Sequence, residues 1–309
     1  MRGISTHGTY LLKVIHMRVK SGQLKLPTLP EIVMNSGATA VVDGKDGIGM
    51  VAGFTAAKLA VDKAKEAGVA IVLIRNTNNV GSLAFYTEYA ASQGMAMIMS
   101  GNAAPAMAPW GGAEPFMGTN PLALSFPTGS NSYGFTVDMA TSVVARGKIR
   151  KAARQGGDIP GNWALDNEGM ATTDPDQALT GTLLPIGGPK GSALAMAIDI
   201  ISGILSGSGY GLLIKSFHVL EGPTKVGASC IAIDISRFME QEKFMELMHE
   251  YSNSVKNLKK AKGFDEILLP GEMERYKEQI SLKNGIDMDP QQVKELNDIL
   301  VQTGSDIRI

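Results

Sequence analysis

Four histidines stand at positions 7, 16, 218 and 249, and histidine is the side chain best suited to move a proton near neutral pH. His7 lies in Ser5-Thr6-His7-Gly8, a polar turn ahead of an apolar helical stretch. His16 falls within the apolar and basic helix 11–19 as a helix-face residue, and His249 sits beside Glu250 on the surface of an amphipathic helix. His218 follows Lys215 in a loop. Context makes His7 the leading candidate for acid/base work, the alternative being a histidine that merely belongs to a helix-capping turn. The four are too scattered to form a metal-ligand spacing, so no metal is expected. The single cysteine, Cys230, lies in the apolar run Cys230-Ile231-Ala232-Ile233 and reads as a buried strand residue, not a nucleophile.

Two stretches have the composition to hold a phosphate. Gly187-Gly188-Pro189-Lys190-Gly191-Ser192 leads a flexible turn into a helix start. A lysine in that first turn opposes the helix dipole, which implies either a bound anion or an exposed chain at a small penalty. In Val137-Asp138-Met139-Ala140-Thr141-Ser142 a strand runs toward an expected helix beginning at Ser142. Thr141 or Ser142 would cap that helix, and its free N–H groups would face either a ligand or solvent. No G-x-G-x-x-G follows a strand and no P-loop is present. Gly207-Ser208-Gly209-Tyr210-Gly211 has the wrong spacing and follows a helix.

The elements that must position these residues alternate short apolar runs with helical patterns, as in a mixed α/β chain. A helix is expected from about Phe54 to the stop at Gly68, then a strand over 69–74. Ser82 is placed to cap a helix bearing Leu83, Phe85, Tyr86 and Tyr89, followed by an apolar run over 95–99. Residues 122–126 and 135–137 read as strands, 142–153 as a helix, and 156–188 as turn-rich. Residues 189–206 read as a helix apolar on nearly all sides, which predicts burial, with Asp199 isolated inside it and either hydrogen-bonded or protonated. Toward the end come a strand over 231–235 and a helix capped by Ser236 with Phe238, Met245, Met248 and Tyr251 as its core stripe. The last helix has Asp289 as N-cap, Pro290 at N1, Val293, Leu296 and Leu300 inward, and Gly304 at its stop.

Composition narrows the function classes. The 29 Lys and Arg against 30 Asp and Glu leave no field to attract nucleic acid or an anionic membrane. The densest basic stretch, 256–262, reads as a solvated helix end. No apolar run spans a bilayer, no signal-peptide pattern opens the chain, and a lone cysteine excludes an internal disulfide, so a cytoplasmic protein is expected. With 309 residues and 44% apolar content the chain can bury a large core.

Taken together and in order, several motifs resemble one family over essentially the whole chain. They are Arg2-Gly3-Ile4-Ser5-Thr6-His7-Gly8, Met107-Ala108-Pro109-Trp110-Gly111-Gly112, Gly118-Thr119-Asn120-Pro121-Leu122-Ala123 and Asp138-Met139-Ala140-Thr141-Ser142 through Gly147-Lys148-Ile149. Gly187-Gly188-Pro189-Lys190-Gly191, Leu205-Ser206-Gly207 and Glu266-Ile267-Leu268-Leu269-Pro270-Gly271-Glu272 complete the set. The sequence is similar to the malate/L-lactate dehydrogenase family, which also contains ureidoglycolate, sulfolactate and diketogulonate oxidoreductases.

That resemblance implies an α/β fold with a non-Rossmann cofactor-binding domain and a largely antiparallel sheet, plus a mixed helical domain built from both chain ends. Residues 1–75 and 220–309 would form the mixed domain and 76–219 the cofactor-binding domain, in a homodimer. It implies NAD or NADP as cofactor and a small 2-hydroxy or 2-oxo acid as substrate, malate-, lactate- or ureidoglycolate-like. His7 takes the role of the family's proton-transfer histidine. Cofactor contacts map to Asp138, Met139, Ala140, Thr141, Ser142, Lys190, Gly191, Pro270, Gly271 and Glu272. Thr6, Asn79, Thr119 and Asn120 would orient the substrate oxygens.

Three positions depart from the family pattern. Its second histidine is Asn79 here, which can hydrogen-bond an oxygen but takes no proton near neutral pH. Its carboxylate-pairing arginine is Leu11, with Lys13 or Lys45 as conceivable substitutes. A further histidine is Ala228. The thinned polar wall motivates a second reading, a family member that binds the cofactor without turnover. The family also carries a helical segment ahead of Arg-Gly, where this chain reads Met1-Arg2.

Overall fold

The computed structural model describes residues 2–3, 7–129 and 134–309. The elements run α1 (Leu11–Lys20), β1 (Glu31–Ser36), β2 (Thr39–Asp43), α2 (Gly49–Ala67), β3 (Val69–Thr77), α3 (Ala84–Ser92), β4 (Met95–Gly101), β5 (Leu122–Phe126) and β6 (Phe135–Met139). They continue with α4 (Arg146–Gln155), β7 (Ala164–Leu165), α5 (Pro175–Thr180), β8 (Thr182–Leu183), α6 (Pro189–Asp199), β9 (Val226–Asp234), α7 (Gln241–Lys256), α8 (Glu272–Asn284) and α9 (Pro290–Gln302). Seven strands make one sheet in the order β1-β2-β3-β9-β4-β5-β6, in which only β2 and β3 are parallel. This is the mixed, mostly antiparallel sheet that the family resemblance implies.

Strand alternation divides the sheet faces. Ala70, Val72 and Ile74 of β3, Ala228, Cys230 and Ala232 of β9 and Met95, Met97 and Met99 of β4 pack into one core with α2 and α3. The helix α2 meets that core through Ala52, Ala56, Ala57, Ala60 and Ala64, whose small side chains let it approach the sheet closely. Burial pushes the Cys230 thiol up to about 12, so it is inert as a nucleophile. A second core joins Met107, Met117, Val144, Ile149, Ile159, Ala164, Ala178, Leu183 and Ala195, all between 107 and 195. The large sheet draws β1–β3 and β9 from the stretches flanking 76–219 and β4–β6 from within it, so hydrogen-bonded strands cross both expected boundaries.

Several local expectations are corrected. The helix expected at Ser142 begins at Arg146, because Val143 N donates to Leu184 O and Ser142 bridges Pro185, which holds the segment extended. Neither Thr141 nor Ser142 caps it; the N-cap is Ala145, without a side-chain bond. Ser82 does not cap α3 either, since that position's acceptor comes from Asp138. The helix expected over 189–206 is α-helical to Asp199 and π-helical over Ile200–Leu205, and it is not wholly buried: Ile204 is 54% and Leu205 64% exposed. Ser236 sits in a short 3-10 turn bonded to Asp234, α7 starts five residues later, and Phe238 and Tyr251 are exposed. The final helix is as expected, with Asp289 accepting from Gln291 N and Gln292 N and Leu296 buried. Among the described residues no helix is long and apolar enough to cross a membrane, and no cluster of potential metal ligands occurs.

Candidate active site

The alternation of β6 aims Asp138 toward the N-terminus of α3, beside Thr136 and opposite Ala123. Its Oδ2 accepts from Ser82 Oγ at 2.7 Å and from Ala84 N at 3.0 Å. The carboxylate therefore caps α3 and meets the positive end of its dipole. The same charge acts on His7. Packing around the imidazole lowers its pKa from the ordinary histidine value, and Asp138 partly opposes that shift, while the residue keeps exposed surface. A neutral imidazole that can still be protonated is what proton exchange with a hydroxyl or carbonyl oxygen requires.

Against β6 runs the segment at 269–271. Thr136 N donates to Pro270 O at 3.1 Å, and Gly271 has φ +92° with Thr136 O 3.1 Å from where a Cβ would stand. Asp138, Met139, Pro270 and Gly271 line one cleft of about 220 Å³, together with Arg2 and Glu274. Arg2 lines this cleft, although its residue type and spacing had not singled it out as a contact. It pairs with Glu88 of α3, and its buried Nε has no hydrogen-bond partner among the described residues. The available signal was its place at the head of the Arg2-Gly3 motif. Glu272 is different: its carboxylate is buried, accepting from Lys256 Nζ at 2.5 and 2.7 Å and from Leu269 N at 2.8 Å. It braces the turn, and Lys256 is not the solvated helix end that the basic stretch suggested.

The other end of the 138–142 segment meets the glycine turn. Ile186 N donates to Thr141 O at 2.8 Å, which places the two phosphate candidates side by side. Thr141 is buried, its hydroxyl donating to Thr119 O and Asn120 O; the Ser142 hydroxyl donates to Val144 O. Asn120 is wholly buried at φ +25°, its amide donating to Ala195 O and accepting from Ala103 N. Its side chain thus anchors the loop, while Thr119 remains half-buried at the surface. Asn79 accepts from Gly81 N at 2.8 Å. Thr6 lies outside the described residues.

The glycine turn fits a dinucleotide diphosphate. Gly187 and Gly188 have φ of +61° and +62°, and a Cβ at Gly191 would stand 1.9 Å from Ile186 O. Only glycine permits this close backbone path. Gly188 is the N-cap of α6 and offers no side-chain acceptor to the first turn, which bears exposed Lys190. The arrangement is a backbone cradle with a cation at its rim. Trp110 packs its ring against Gly188, and its backbone N–H donates to Ser192 Oγ.

Elsewhere the structure accounts for residues without giving them to the site. Lys13 pairs with Glu295 and Lys45 with Glu31. Leu11 is 3% exposed, and Ala228 lies in the sheet core. Asp199 accepts from Asn102 Nδ2 and Gly211 N, and burial raises its pKa against those two bonds.

The mostly antiparallel sheet, in a chain without a Rossmann fingerprint, fits a known class. Residues 1–297 match the malate/L-lactate dehydrogenase family, and the chain belongs to it. It is 40% identical over 307 residues to the L-sulfolactate dehydrogenase of Methanocaldococcus jannaschii, covering 99% of this chain and 88% of that one. It is 31% identical over 288 residues to an Escherichia coli ureidoglycolate dehydrogenase (NAD(+)), covering 93% and 82%. The crystal structure of malate dehydrogenase from Entamoeba histolytica superposes with a TM-score of 0.93 at 29% identity, over 100% of this chain and 89% of that chain.

Proposed function

We propose that the protein is an oxidoreductase that interconverts a small 2-hydroxy acid and its 2-oxo acid with NAD or NADP. Bound at the cradle, the nicotinamide cofactor would exchange a hydride with C2 of the substrate. His7 takes the hydroxyl proton in oxidation and returns it to the carbonyl oxygen in reduction. Lys190, Gly191 and the backbone at 138–142 hold the cofactor, with Pro270 and Gly271 against the strand. The Glu272 carboxylate supports that turn from behind. Thr119 and Asn79 orient substrate oxygens with Thr6, and Asn120 keeps Thr119 in place. The observation that carries this reading is the bond from Ile186 N to Thr141 O, which seats the glycine cradle beside the strand whose Asp138 acts on His7.

The same reading includes a homodimer. The chain exposes 16556 Å², whereas a compact monomer of 32.7 kDa exposes roughly 12,400 Å². An excess of about 4,000 Å² is more than one side of a typical obligate interface. It includes the apolar π-helix side chains Ile200, Ile204 and Leu205. The lone buried Cys230 suits a reducing, cytoplasmic setting. We retain the two-part division, 76–219 against the chain ends, on the strength of the second core lying wholly inside the middle part.

The test is a panel of 2-oxo acids with NADH and with NADPH, followed by absorbance of the reduced cofactor. Saturable turnover with at least one pair is expected. Saturable cofactor binding with no turnover would replace this reading with that of a binding protein, and no binding would remove the cradle assignment as well.

A further inference from the structure

A nicotinamide dinucleotide carries two flat aromatic rings on either side of one diphosphate, and a flat base binds well on an aromatic side chain. The glycine turn proposed to hold the diphosphate has two different flanks. On the flank before it, Ile186 N donates to Thr141 O, at the end of the 138–142 segment that starts at Asp138. Hydride transfer beside His7 sends the nicotinamide half along that segment. On the flank after it, Gly188 and Ser192 both meet one residue, Trp110. The adenosine half leaves the turn on this second flank.

Trp110 is one of two tryptophans in the chain. The other, Trp163, packs against the second core, whereas Trp110 is 60% exposed. Single exposed apolar residues are common and need no explanation in themselves. Three contacts make this one different. Its ring atoms Cζ3 and Cη2 stand 3.2 and 3.3 Å from where a Cβ at Gly188 would be, so a side chain at 188 would lift the indole off the turn. Its backbone N–H donates to Ser192 Oγ at 2.9 Å, which ties the loop to the first turn of α6. Gly112 N donates to Pro109 O at 2.8 Å and closes a turn around Trp110 itself. Behind that turn Met107 and Ala108 are buried, and Met107 bridges Met117 and Leu183. An indole with its backbone fixed offers wide apolar area at little entropic cost to a ligand that packs on it.

We propose that Trp110 is the platform on which the adenine of the cofactor stacks. Glycine at 188 lets the indole sit directly on the N-cap of α6, beside the turn and Lys190 that receive the diphosphate. The assignment rests on the nicotinamide-cofactor reading above and adds the residue that recognises the non-reacting half of the cofactor.

ADP-ribose carries the adenine and the diphosphate without the nicotinamide; its 2′-phosphate replaces it where NADPH is the better cofactor. Titration calorimetry of the full chain compares wild type with Trp110→Leu and Trp110→Phe. All three keep the backbone bond to Ser192. Stacking on an aromatic ring predicts an affinity loss of about 5- to 150-fold in Trp110→Leu, equal for ADP-ribose and for NADH, with most of it restored in Trp110→Phe. In Trp163→Phe, where Trp110 is the sole fluorophore, ADP-ribose should shield the indole from acrylamide quenching. Equal ADP-ribose affinity in Trp110→Leu and wild type overturns the platform, as does no binding by wild type. Leucine and phenylalanine variants with the same loss also overturn it, because the ring then only supports the turn. Undiminished acrylamide quenching in the ADP-ribose complex overturns it as well. The wider reading fails separately, when no 2-oxo acid turns over although ADP-ribose binding still depends on Trp110.

Discussion

The Asp138 carboxylate that closes the N-terminus of α3 is also the negative charge that opposes the loss of basicity at His7. Structure and chemistry share one group, and two substitutions separate them. Asparagine retains an oxygen for Ala84 N and is a good N-cap, but it carries no charge. Asp138→Asn should therefore change stability little, while the His7 pKa drops further below its ordinary value. Reduction needs protonated His7, so its pH profile should shift to lower pH, and oxidation should persist further into acid. Asp138→Ala should show the same shift and in addition lose about 1 kcal/mol of stability with the cap. Profiles of kcat/KM in both directions and a denaturant titration measure these effects; an unmoved or alkaline-shifted profile in Asp138→Asn excludes the electrostatic link.

His7→Ala tests the acid/base role itself. A positioned general acid or base contributes about 10²- to 10⁴-fold. We expect kcat to fall at least about 10²-fold with cofactor affinity retained, since the cradle lies on other elements. A rate near wild type would sink the assignment.

How much of this was readable in the sequence depended on how local each cause is. The final helix was legible because Asp289, Pro290 and Leu296 act within one or two turns of each other. The start of α4 was not, because Val143 is held extended by Leu184, a partner far along the chain. Asn120 and Glu272 belong to matching motifs, yet which way their side chains face follows from Ala195 and Lys256. The motif order carried the family, while the pairing of Tyr10 with His218 is a tertiary event with no local trace.

The cradle predicts two separable failures. Lys190→Ala removes an exposed cation that forms no ion pair among the described residues, so folding should be untouched. Cofactor affinity should fall about 10-fold or more, the range of a charge-assisted hydrogen bond. Gly191→Ala drives a Cβ into Ile186 O, a backbone atom that cannot swing away. Overpacking of this kind destabilises by about 1–3 kcal/mol or more, so Tm should fall along with binding. A Gly191→Ala protein with wild-type Tm and affinity would show that the turn relaxes freely.

The π-helix side chains Ile204 and Leu205 are 54% and 64% exposed. If a second copy covers them, Ile204→Asp with Leu205→Asp places two charges in an apolar interface and should yield monomers. Sedimentation velocity at micromolar protein reads this directly. A wild-type monomer, or a double variant that still dimerises, assigns the exposed surface to something else.

Arg18 offers the last test, of whether burial of its charge serves the His218 loop. Its pKa is lowered by desolvation, with Asp46 opposing, and its Nε has no hydrogen-bond partner among the described residues. Arg18→Met keeps the length and apolar stem but removes the donors, leaving the carbonyls of Phe217, Val219 and Gly222 unserved. Each such carbonyl costs about 1–3 kcal/mol if it stays buried, so the loop should open toward water. Against this, removing an unpaired buried charge is itself favourable, which limits the global loss. The expected result is therefore local: faster amide exchange over 217–222 and only a modest change in Tm. Arg18→Lys should sit between, since one ammonium cannot reproduce the planar fork of donors. Exchange that quickens across the whole sheet instead of the loop would place Arg18 in the general stability of the fold, with no special bearing on His218.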